Sequence, residues 1–390
     1  MPNSFDWILW PIEATDFIET YWEKQFVHIR RNEPDYYRDV FSIAMFEEAL
    51  VRNPPSLSWV SADQSSRTQL TPNRGYNSSD VNRAIEAFST GSTIILDALH
   101  KHFPPLRRLC VELEGLLGIR FQANAYLTPP GRQGFRPHYD THDVLVIQIH
   151  GSKKWRVGEE AFKYPLLAHN DIPGSRTIGS NYEEFSLEAG DALYIPRGVV
   201  HEAISESGTS LHITLGILGY TWADVVASCV ARAIDGNPAL RESLPLRYDR
   251  DQLDPALSER IVELIQKIAE PDNVTKSLEC FMDECLKAYE GGLEGKLSTL
   301  ILLESDSKLQ EYRLSGANSF GEVLRDKDQV IVRCTDKEVI FPAQAEVAVR
   351  SCLEAQMAKP AELDRGNLEW SEFAVVVKRL AREGLLTAKD

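Results

Sequence analysis

The 390-residue sequence has few of the features that mark secreted, disulfide-stabilised or membrane-spanning proteins. Its six cysteines are scattered and include no C-x-x-C pair, which argues against a disulfide framework or a structural zinc site and fits a reducing cytoplasm. The N-terminus lacks a basic segment followed by a long apolar core, so we expect no signal peptide. The most apolar long stretch, 212–234, contains His212, Asp224 and Arg232, and is therefore not expected to span a membrane.

The sequence also lacks an excess of positive charge. Its formal net charge is −16, whereas a phosphate backbone requires a basic protein surface. We therefore expect no direct nucleic-acid partner. An acidic surface is compatible with a basic peptide or protein partner, although solubility alone also accounts for it.

Four segments differ in their hydrophobic patterns, and none contains an internal repeat. Residues 1–110 mix helical and strand signals and are predicted to pack on a barrel. Residues 111–222 contain short apolar runs between Gly/Pro turns, which predicts a mainly β jelly roll with flanking helices. Residues 223–298 have the pattern of amphipathic helices. Residues 299–390 combine a helix, a hairpin and a terminal helix, which are the ingredients of a small winged-helix-like α+β module.

The winged-helix-like module carries 15 acidic and 13 basic side chains over residues 305–390. A DNA-reading winged helix normally has a basic face. The sequence therefore favours a module that contacts protein or supports a dimer.

Closely spaced metal-binding residue types precede the apolar run Val144 to Ile149. If the strand includes them, His138 and Asp140 share one face about 6.6 Å apart, because every second residue of a strand points the same way. His142 would lie roughly 13 Å from His138, too far for one ion. His201, at the end of "GDALYIPRGVVH", can face the pair from a neighbouring antiparallel strand.

Two imidazoles and one carboxylate form a facial triad that leaves coordination positions open, which suits non-haem Fe(II) with a co-substrate and O2. The H-x-D pair alone is a weak signal; with G-D-x-x-Y-I-P-x-G-x-x-H downstream it is specific. If the co-substrate is 2-oxoglutarate, a cation must pair with its distal carboxylate. Lys153 and Lys154 follow the turn at Gly151, and alternation along the strand cannot choose between them.

These motifs carry a resemblance to a known family. "NAYLTPPGRQGFRPHYDTHDVLVIQIHGSKKWRV" and "GDALYIPRGVVHEA" resemble the JmjC/cupin-type 2-oxoglutarate oxygenases, and among them the ribosomal oxygenases. That family combines a jelly-roll JmjC domain, a helical dimerisation region and a winged-helix-like domain. Together with the amphipathic helices, the resemblance implies that residues 223–298 mediate dimerisation. The resemblance is specific over 124–157 and 189–204 and only architectural after about 225.

The resemblance implies roles for individual residues. It makes His138, Asp140 and His201 the Fe(II) ligands and prefers Lys153 over Lys154 for the 2-oxoglutarate carboxylate. It also assigns pocket-lining roles to a further set of side chains, namely Asn124, Tyr126 and, on the last barrel strand, His212. A packed core histidine is an equal alternative for His212. His142 and Asp143 are expected to support the site from outside or to lie at the surface, and for His142 a supporting hydrogen bond is favoured over a substrate contact.

The sequence as a whole predicts a cytoplasmic, homodimeric Fe(II)/2-oxoglutarate dioxygenase that hydroxylates an amino-acid side chain of a protein or peptide. Three other functions stay open under the same resemblance. One is a tailoring hydroxylase of a biosynthetic peptide or small molecule. The second is a non-catalytic metal-binding cupin that acts as a sensor or scaffold, and the third is a cupin metalloenzyme that uses no 2-oxoglutarate.

Overall fold

The chain divides into two units, Met1–Gly219 and Tyr220–Asp390, in the computed structural model. The structure describes residues 4–52, 56–61, 67–70, 78–169, 177–244, 255–288, 295–302, 313–316, 320–334, 337–355 and 358–389. No helix within these ranges combines the length and the apolar character that a membrane crossing requires.

The first unit is built mainly from antiparallel strands. Its described strands are β1 (Val27–Ile29), β2 (Ser56–Val60), β3 (Arg67–Leu70), β4 (Thr93–Asp97), β5 (Arg120–Thr128), β6 (Asp143–His150), β7 (Ser152–Glu160), β8 (Glu183–Glu188), β9 (Ala192–Ile195), β10 (Val199–Ser205) and β11 (Ser210–Leu218). Its described helices are α1 (Ser4–Leu9), α2 (Ala14–Thr20), α3 (Ile43–Val51), α4 (Ser78–Ser89) and α5 (Pro104–Leu117).

These strands form two facing sheets. The larger has the order β1-β9-β6-β11-β5-β4-β2-β3, and the smaller has the order β10-β7-β8. Alternate residues of β6 point to opposite sides, so Leu145 and Ile147 join a large core that includes residues of the N-terminal helices, whereas Val144 and Val146 join a second core with Trp155 of the smaller sheet. The predicted jelly roll with antiparallel sheets and flanking helices is confirmed.

One helix of the N-terminal segment begins with a side-chain cap and a hydrophobic staple. The helix α3 begins after Ser42, whose side chain accepts a hydrogen bond from the amide of Met45 at 3.2 Å. Phe41 and Phe46 are both buried and lie edge to face, with ring centroids 6.4 Å apart, as expected of a hydrophobic staple. The segment additionally supplies β1 to β4, which extend the larger sheet at both of its edges.

The second unit combines helices with two small sheets. Its described helices are α6 (Trp222–Gly236), α7 (Pro255–Ile268), α8 (Pro271–Ala288), α9 (Lys296–Leu302), α10 (Glu346–Leu353) and α11 (Trp370–Arg382). Its described strands are β12 (Arg313–Gly316), β13 (Phe320–Asp326), β14 (Gln329–Cys334), β15 (Glu338–Pro342) and β16 (Leu386–Lys389). The predicted hairpin is present as the antiparallel pair β14 and β15, and the two predicted helices are α10 and α11.

Candidate metal centre

The proposed metal ligands come from a loop and a strand. His138 and Asp140 lie in the connection between β5 and β6, outside any strand, so the expectation that they share one strand face is wrong. A single antiparallel bridge joins His138 to His201 of β10 instead, with the two N–H···O hydrogen bonds at 3.1 and 2.8 Å. The backbone of the loop is thus held by the same residue that supplies the third ligand.

The three side chains converge. One candidate ligand atom from each of His138, Asp140 and His201 lies within 4.8 Å of the others, and His201 Nε2 is 3.7 Å from Asp140 Oδ2. The Nδ1 atoms of the two histidines lie 2.8 and 3.0 Å from the carbonyl oxygens of Arg136 and Val199. A ring that donates from Nδ1 keeps a lone pair on Nε2, which is the form that binds a metal.

Burial and mutual charge set the protonation of this cluster. Burial, and then the neighbouring His138, lower the pKa of His201 to about 4. Burial by itself would raise the pKa of Asp140, but the charges of His138, His201 and His142 outweigh it and hold that pKa below its usual range. Near neutral pH the cluster therefore offers a neutral imidazole and an ionised carboxylate, a donor set that fits divalent iron.

The structure distinguishes the two candidate lysines. Lys153 of β7 points into the barrel and is 3% exposed, whereas Lys154 points outward and lies 3.5 Å from Glu184. Burial lowers the pKa of Lys153 to about 7. Among the described residues, no carboxylate lies within ion-pair distance of the Lys153 amine. A buried amine without an acidic neighbour is expected to bind an anionic ligand, since a buried charge otherwise goes unpaired.

His212 and Tyr126 lie beside each other on the inner face of the larger sheet. They are register partners on β11 and β5, and their rings stack with centroids 4.9 Å apart and planes 5° apart. His212 is buried, and its Nδ1 forms no hydrogen bond with a described residue. Burial, and then the charge of Lys153, lower the pKa of His212. Both side chains are buried, and Trp155 on the same face of β7 as Lys153 contacts His212, so His212 and Lys153 line the same pocket.

Trp155 is a residue of this pocket that the sequence analysis missed. Its ring lies 5.9 Å from that of His201 and 6.0 Å from that of His212. Its buried Nε1–H has no hydrogen-bond acceptor among the described residues. The signal was present in the sequence, because Trp155 stands two positions after Lys153 and so shares its strand face.

Asn124, two residues before Tyr126 on β5, stabilises the neighbouring backbone of the pocket wall. Its Oδ1 accepts hydrogen bonds from the amide of Ala98 at 2.8 Å and from Nε2 of Gln122 at 3.1 Å. Ala98 has a left-handed backbone conformation, with φ of 53°. Asn124 therefore fixes an unusual turn, and the pocket-lining role predicted for it is confined to the remaining atoms of its amide.

Asp143 is not a surface residue, contrary to one of the two alternatives predicted for it. It is buried at the start of β6 and accepts hydrogen bonds from the Tyr194 hydroxyl at 2.8 Å and the Arg197 amide at 3.3 Å. Burial raises the pKa of Asp143. Its contacts brace the turn that leads to His201 and do not extend to the metal ligands.

Gly198 in the same turn is a second residue that the sequence analysis did not single out. Its amide donates to the carbonyl of Asp140 at 3.0 Å, and its φ is +85°. A Cβ at this position would overlap the carbonyl oxygen of Phe162. Glycine is therefore required both by the backbone conformation and by the close approach of the neighbouring chain.

Comparisons with known proteins agree with this geometry. The JmjC domain family model matches residues 98–225. The chain is 33% identical over 268 residues to the bifunctional lysine-specific demethylase and histidyl-hydroxylase NO66 of Drosophila mojavensis, covering 63% of this chain and 28% of that protein. For the Drosophila erecta protein of the same name, identity is 30% over 314 residues, covering 73% and 46%. The chain thus spans less than half the length of these curated relatives.

The fold matches solved structures over nearly the whole chain. The crystal structure of the Escherichia coli ribosomal oxygenase YcfD superposes with a TM-score of 0.60 at 18% identity, covering 97% of this chain and 98% of that one. A structure of YcfD in complex with cobalt and 2-oxoglutarate superposes with a TM-score of 0.58 at 17% identity. At this identity the likeness establishes the fold.

Proposed function

The chain carries a JmjC domain and resembles the ribosomal oxygenases, and from this premise we propose that it is an Fe(II)/2-oxoglutarate-dependent dioxygenase that hydroxylates an amino-acid side chain of a protein or peptide. One observation carries the proposal. The His138, Asp140 and His201 cluster opens onto the same barrel interior as Lys153, a buried amine with no acidic partner among the described residues.

The three clustered side chains would hold the iron, with O2 as the second co-substrate. When bound, Fe(II) supplies the electrons that activate O2 while 2-oxoglutarate is oxidised to succinate and CO2. The protein keeps the ligands ready for the metal, because the Nδ1 contacts of His138 and His201 orient both rings.

Lys153 would pair with the distal carboxylate of 2-oxoglutarate. The cost of burying its ammonium is then offset by a charge-assisted hydrogen bond. The rings of Tyr126, Trp155 and His212 surround the same space, exclude water from it, and offer the unpaired Nε1–H of Trp155 as a further donor. Water exclusion strengthens the ion pair by lowering the local dielectric constant.

We propose a protein substrate because the curated relatives are named histidyl-hydroxylases and the structural neighbour is a ribosomal oxygenase. The net charge of −16 supports a basic target segment. The active-site wall also presents polar groups, including Gln122 and Asn124, that suit a polar side chain.

The test is stoichiometric turnover with purified, Fe(II)-loaded protein. We expect succinate formation from 2-oxoglutarate, and a gain of one oxygen atom in histidine- or arginine-containing peptides from basic ribosomal proteins. Asp140→Ala should abolish both signals, and Glu184→Ala, on the outer face of the smaller sheet, is the matched control. A folded, iron-loaded protein that never consumes 2-oxoglutarate would refute the 2-oxoglutarate-dependent function and favour the sensor or scaffold alternative or a metalloenzyme that uses no 2-oxoglutarate.

Three finer features are part of the proposal. A homodimer is supported by the exposed apolar side chains of α7, where Ile261, Val262 and Ile265 are 57, 53 and 56% exposed. A winged-helix-like end module is supported by the succession of β13, β14, β15 and two helices. A cytoplasmic location is supported by six cysteines that are all free thiols.

A further inference from the structure

The imidazole of His142 fills the space that is open because Gly216 has no side chain. A Cβ on Gly216 of β11 would lie 2.8 Å from His142 Nε2 and 3.0 Å from its Cδ2, so the imidazole rests directly on the backbone of that glycine. His142 is partly exposed, and its ring forms no hydrogen bond with another described residue. The ring is thus placed by shape: its Nε2 and Cδ2 edge packs on Gly216, and Nδ1 stays available to a ligand.

The position of Gly216 puts this imidazole on the active-site face. Gly216 pairs with Gln122 on β5 and with Val144 on β6, and Val144 belongs to the barrel-interior core together with Trp155. Residues four apart on β11 share a face, so Gly216 and His212 point the same way. His142 therefore lies over the inner surface of the sheet.

His142 and the metal ligands lie at a similar distance along the strands from the proposed co-substrate end. Gly216 is four residues from His212, roughly 13 Å along the strand. His212 lies at the co-substrate end, where the charge of Lys153 helps to lower its pKa. On the facing sheet, His201 pairs with Val157, which is four residues from Lys153. A molecule that contacts His142 therefore lies at the level of the metal ligands and not at the Lys153 end of the barrel.

Gln122 adds a second recognition group at the same level. Its Nε2 donates to Asn124 Oδ1 at 3.1 Å, which leaves its carbonyl oxygen as an acceptor. Asn124 Oδ1 is already occupied by this donor and by the Ala98 amide. Acceptor atoms on Gln122 and His142 suit a ligand group that donates N–H.

We propose that His142 and Gln122 form the subsite that contacts the substrate side chain, and that Nδ1 of His142 and the carbonyl oxygen of Gln122 select a side chain that donates hydrogen bonds over an apolar one. The inference rests on the proposed function and assigns the substrate side of the same site. His142 is a contact to the substrate and not a support for the metal ligands.

The test is probe binding beside the metal. The probes are the N-acetyl methylamides of histidine, asparagine, arginine and leucine, added to anaerobic Mn(II)-loaded protein with 2-oxoglutarate. The measurement is the paramagnetic relaxation of the probes' side-chain protons. We expect at least one nitrogen-bearing probe to bind and the leucine probe not to, and His142→Ala to weaken binding about five-fold, the usual effect of one lost hydrogen bond. His142→Phe should weaken it equally, because it restores the volume but not the nitrogen atoms.

The Gly216→Ala variant tests the His142 subsite independently of substitutions at His142. The new methyl group should displace the imidazole, which is the end of a side chain that can rotate, and should weaken probe binding as His142→Ala does. In the His142→Ala background the same change should have no effect, because the clash is gone. His150→Ala and Gly208→Ala are matched controls, since His150 is exposed at the far end of β6 and a Cβ on Gly208 meets no atom within 4 Å.

Three results would overturn the inference: equal relaxation of the leucine probe, no probe binding at all, or a Gly216→Ala effect that persists without His142. Rescue by His142→Phe would show a packing role and would overturn it as well. Affinity for 2-oxoglutarate, measured by calorimetry on the same samples, keeps the two hypotheses apart. If the wild-type protein does not bind 2-oxoglutarate, the proposed function is refuted. The dependence of probe binding on His142 tests only the subsite.

Discussion

Replacing Lys153 by methionine is expected to act in opposite directions on the ligand-free protein and on its complex with 2-oxoglutarate. Methionine has a similar length and is apolar, so it fills the barrel interior without a charge. The native lysine is buried without an acidic partner among the described residues. The substitution thus removes both a burial cost and a binding group.

The stability change follows from the pKa of Lys153. Burial lowers it from 10.5 to about 7, which corresponds to roughly 5 kcal/mol of destabilisation at pH values below 7. Between pH 7 and 10.5 the unfolded chain binds a proton that the native protein does not. The stability of the wild type therefore rises with pH in this window. The advantage of Lys153→Met should be largest below pH 7 and should decline towards pH 10.

The affinity change has the opposite sign. A hydrogen bond between an ammonium and a carboxylate contributes about 1.5–3 kcal/mol, so Lys153→Met should weaken 2-oxoglutarate binding roughly 10- to 150-fold. Bound 2-oxoglutarate should in turn favour the protonated form of Lys153. Ligand-induced stabilisation should therefore be much larger for the wild type than for the variant.

Two measurements check this reasoning. Urea unfolding at pH 6.5 and 9.5 gives the stability difference, and calorimetry with Mn(II)-loaded, anaerobic protein gives the affinity. Lys154→Met is the control: it removes only an exposed pair with Glu184, so stability should change by less than about 1 kcal/mol and affinity should not change. Unchanged 2-oxoglutarate affinity in Lys153→Met, or an equal loss in Lys154→Met, would refute the assignment of Lys153.

Further predictions address the metal, the turn and the helices. Asp140→Ala should lower metal affinity at least about 100-fold, read by metal content after dialysis, and full metal occupancy would contradict the ligand assignment. Gly198→Ala should destabilise the protein by about 1–3 kcal/mol in urea unfolding, because of its positive φ and the overlap with Phe162; an unchanged midpoint would count against the turn's role. Ile261→Glu with Ile265→Glu should convert a dimer to a monomer in light scattering, whereas a monomeric wild type would remove the dimer proposal.

Much of the fold was predictable because its signals are local. Short apolar runs between Gly/Pro turns indicated antiparallel strands. The metal-binding residue types and their spacing indicated the chemistry before any position in space was known. The resemblance then ordered the candidates, including Lys153 over Lys154.

Some features could not be read from local patterns. His138 and Asp140 lie outside any strand, because the loop that carries them is held by one bridge to His201, a contact between residues far apart in sequence. The contact of His142 with Gly216 likewise depends on which strands are neighbours in the sheet. Periodicity describes the faces of one strand but not the order in which strands pair.

The sequence by itself determined the jelly-roll class, the identity of the metal-binding residue types and the pair of lysines from which a carboxylate anchor could come. Only the tertiary structure decided that Lys153 points inward, that Trp155 and His212 share its pocket and that Asp143 is buried. The physical reason is that side-chain type is fixed residue by residue, whereas burial depends on which surfaces the paired sheets enclose. The fold thus brings the candidate residues together in one pocket, with Lys153 at one end and His142 at the other.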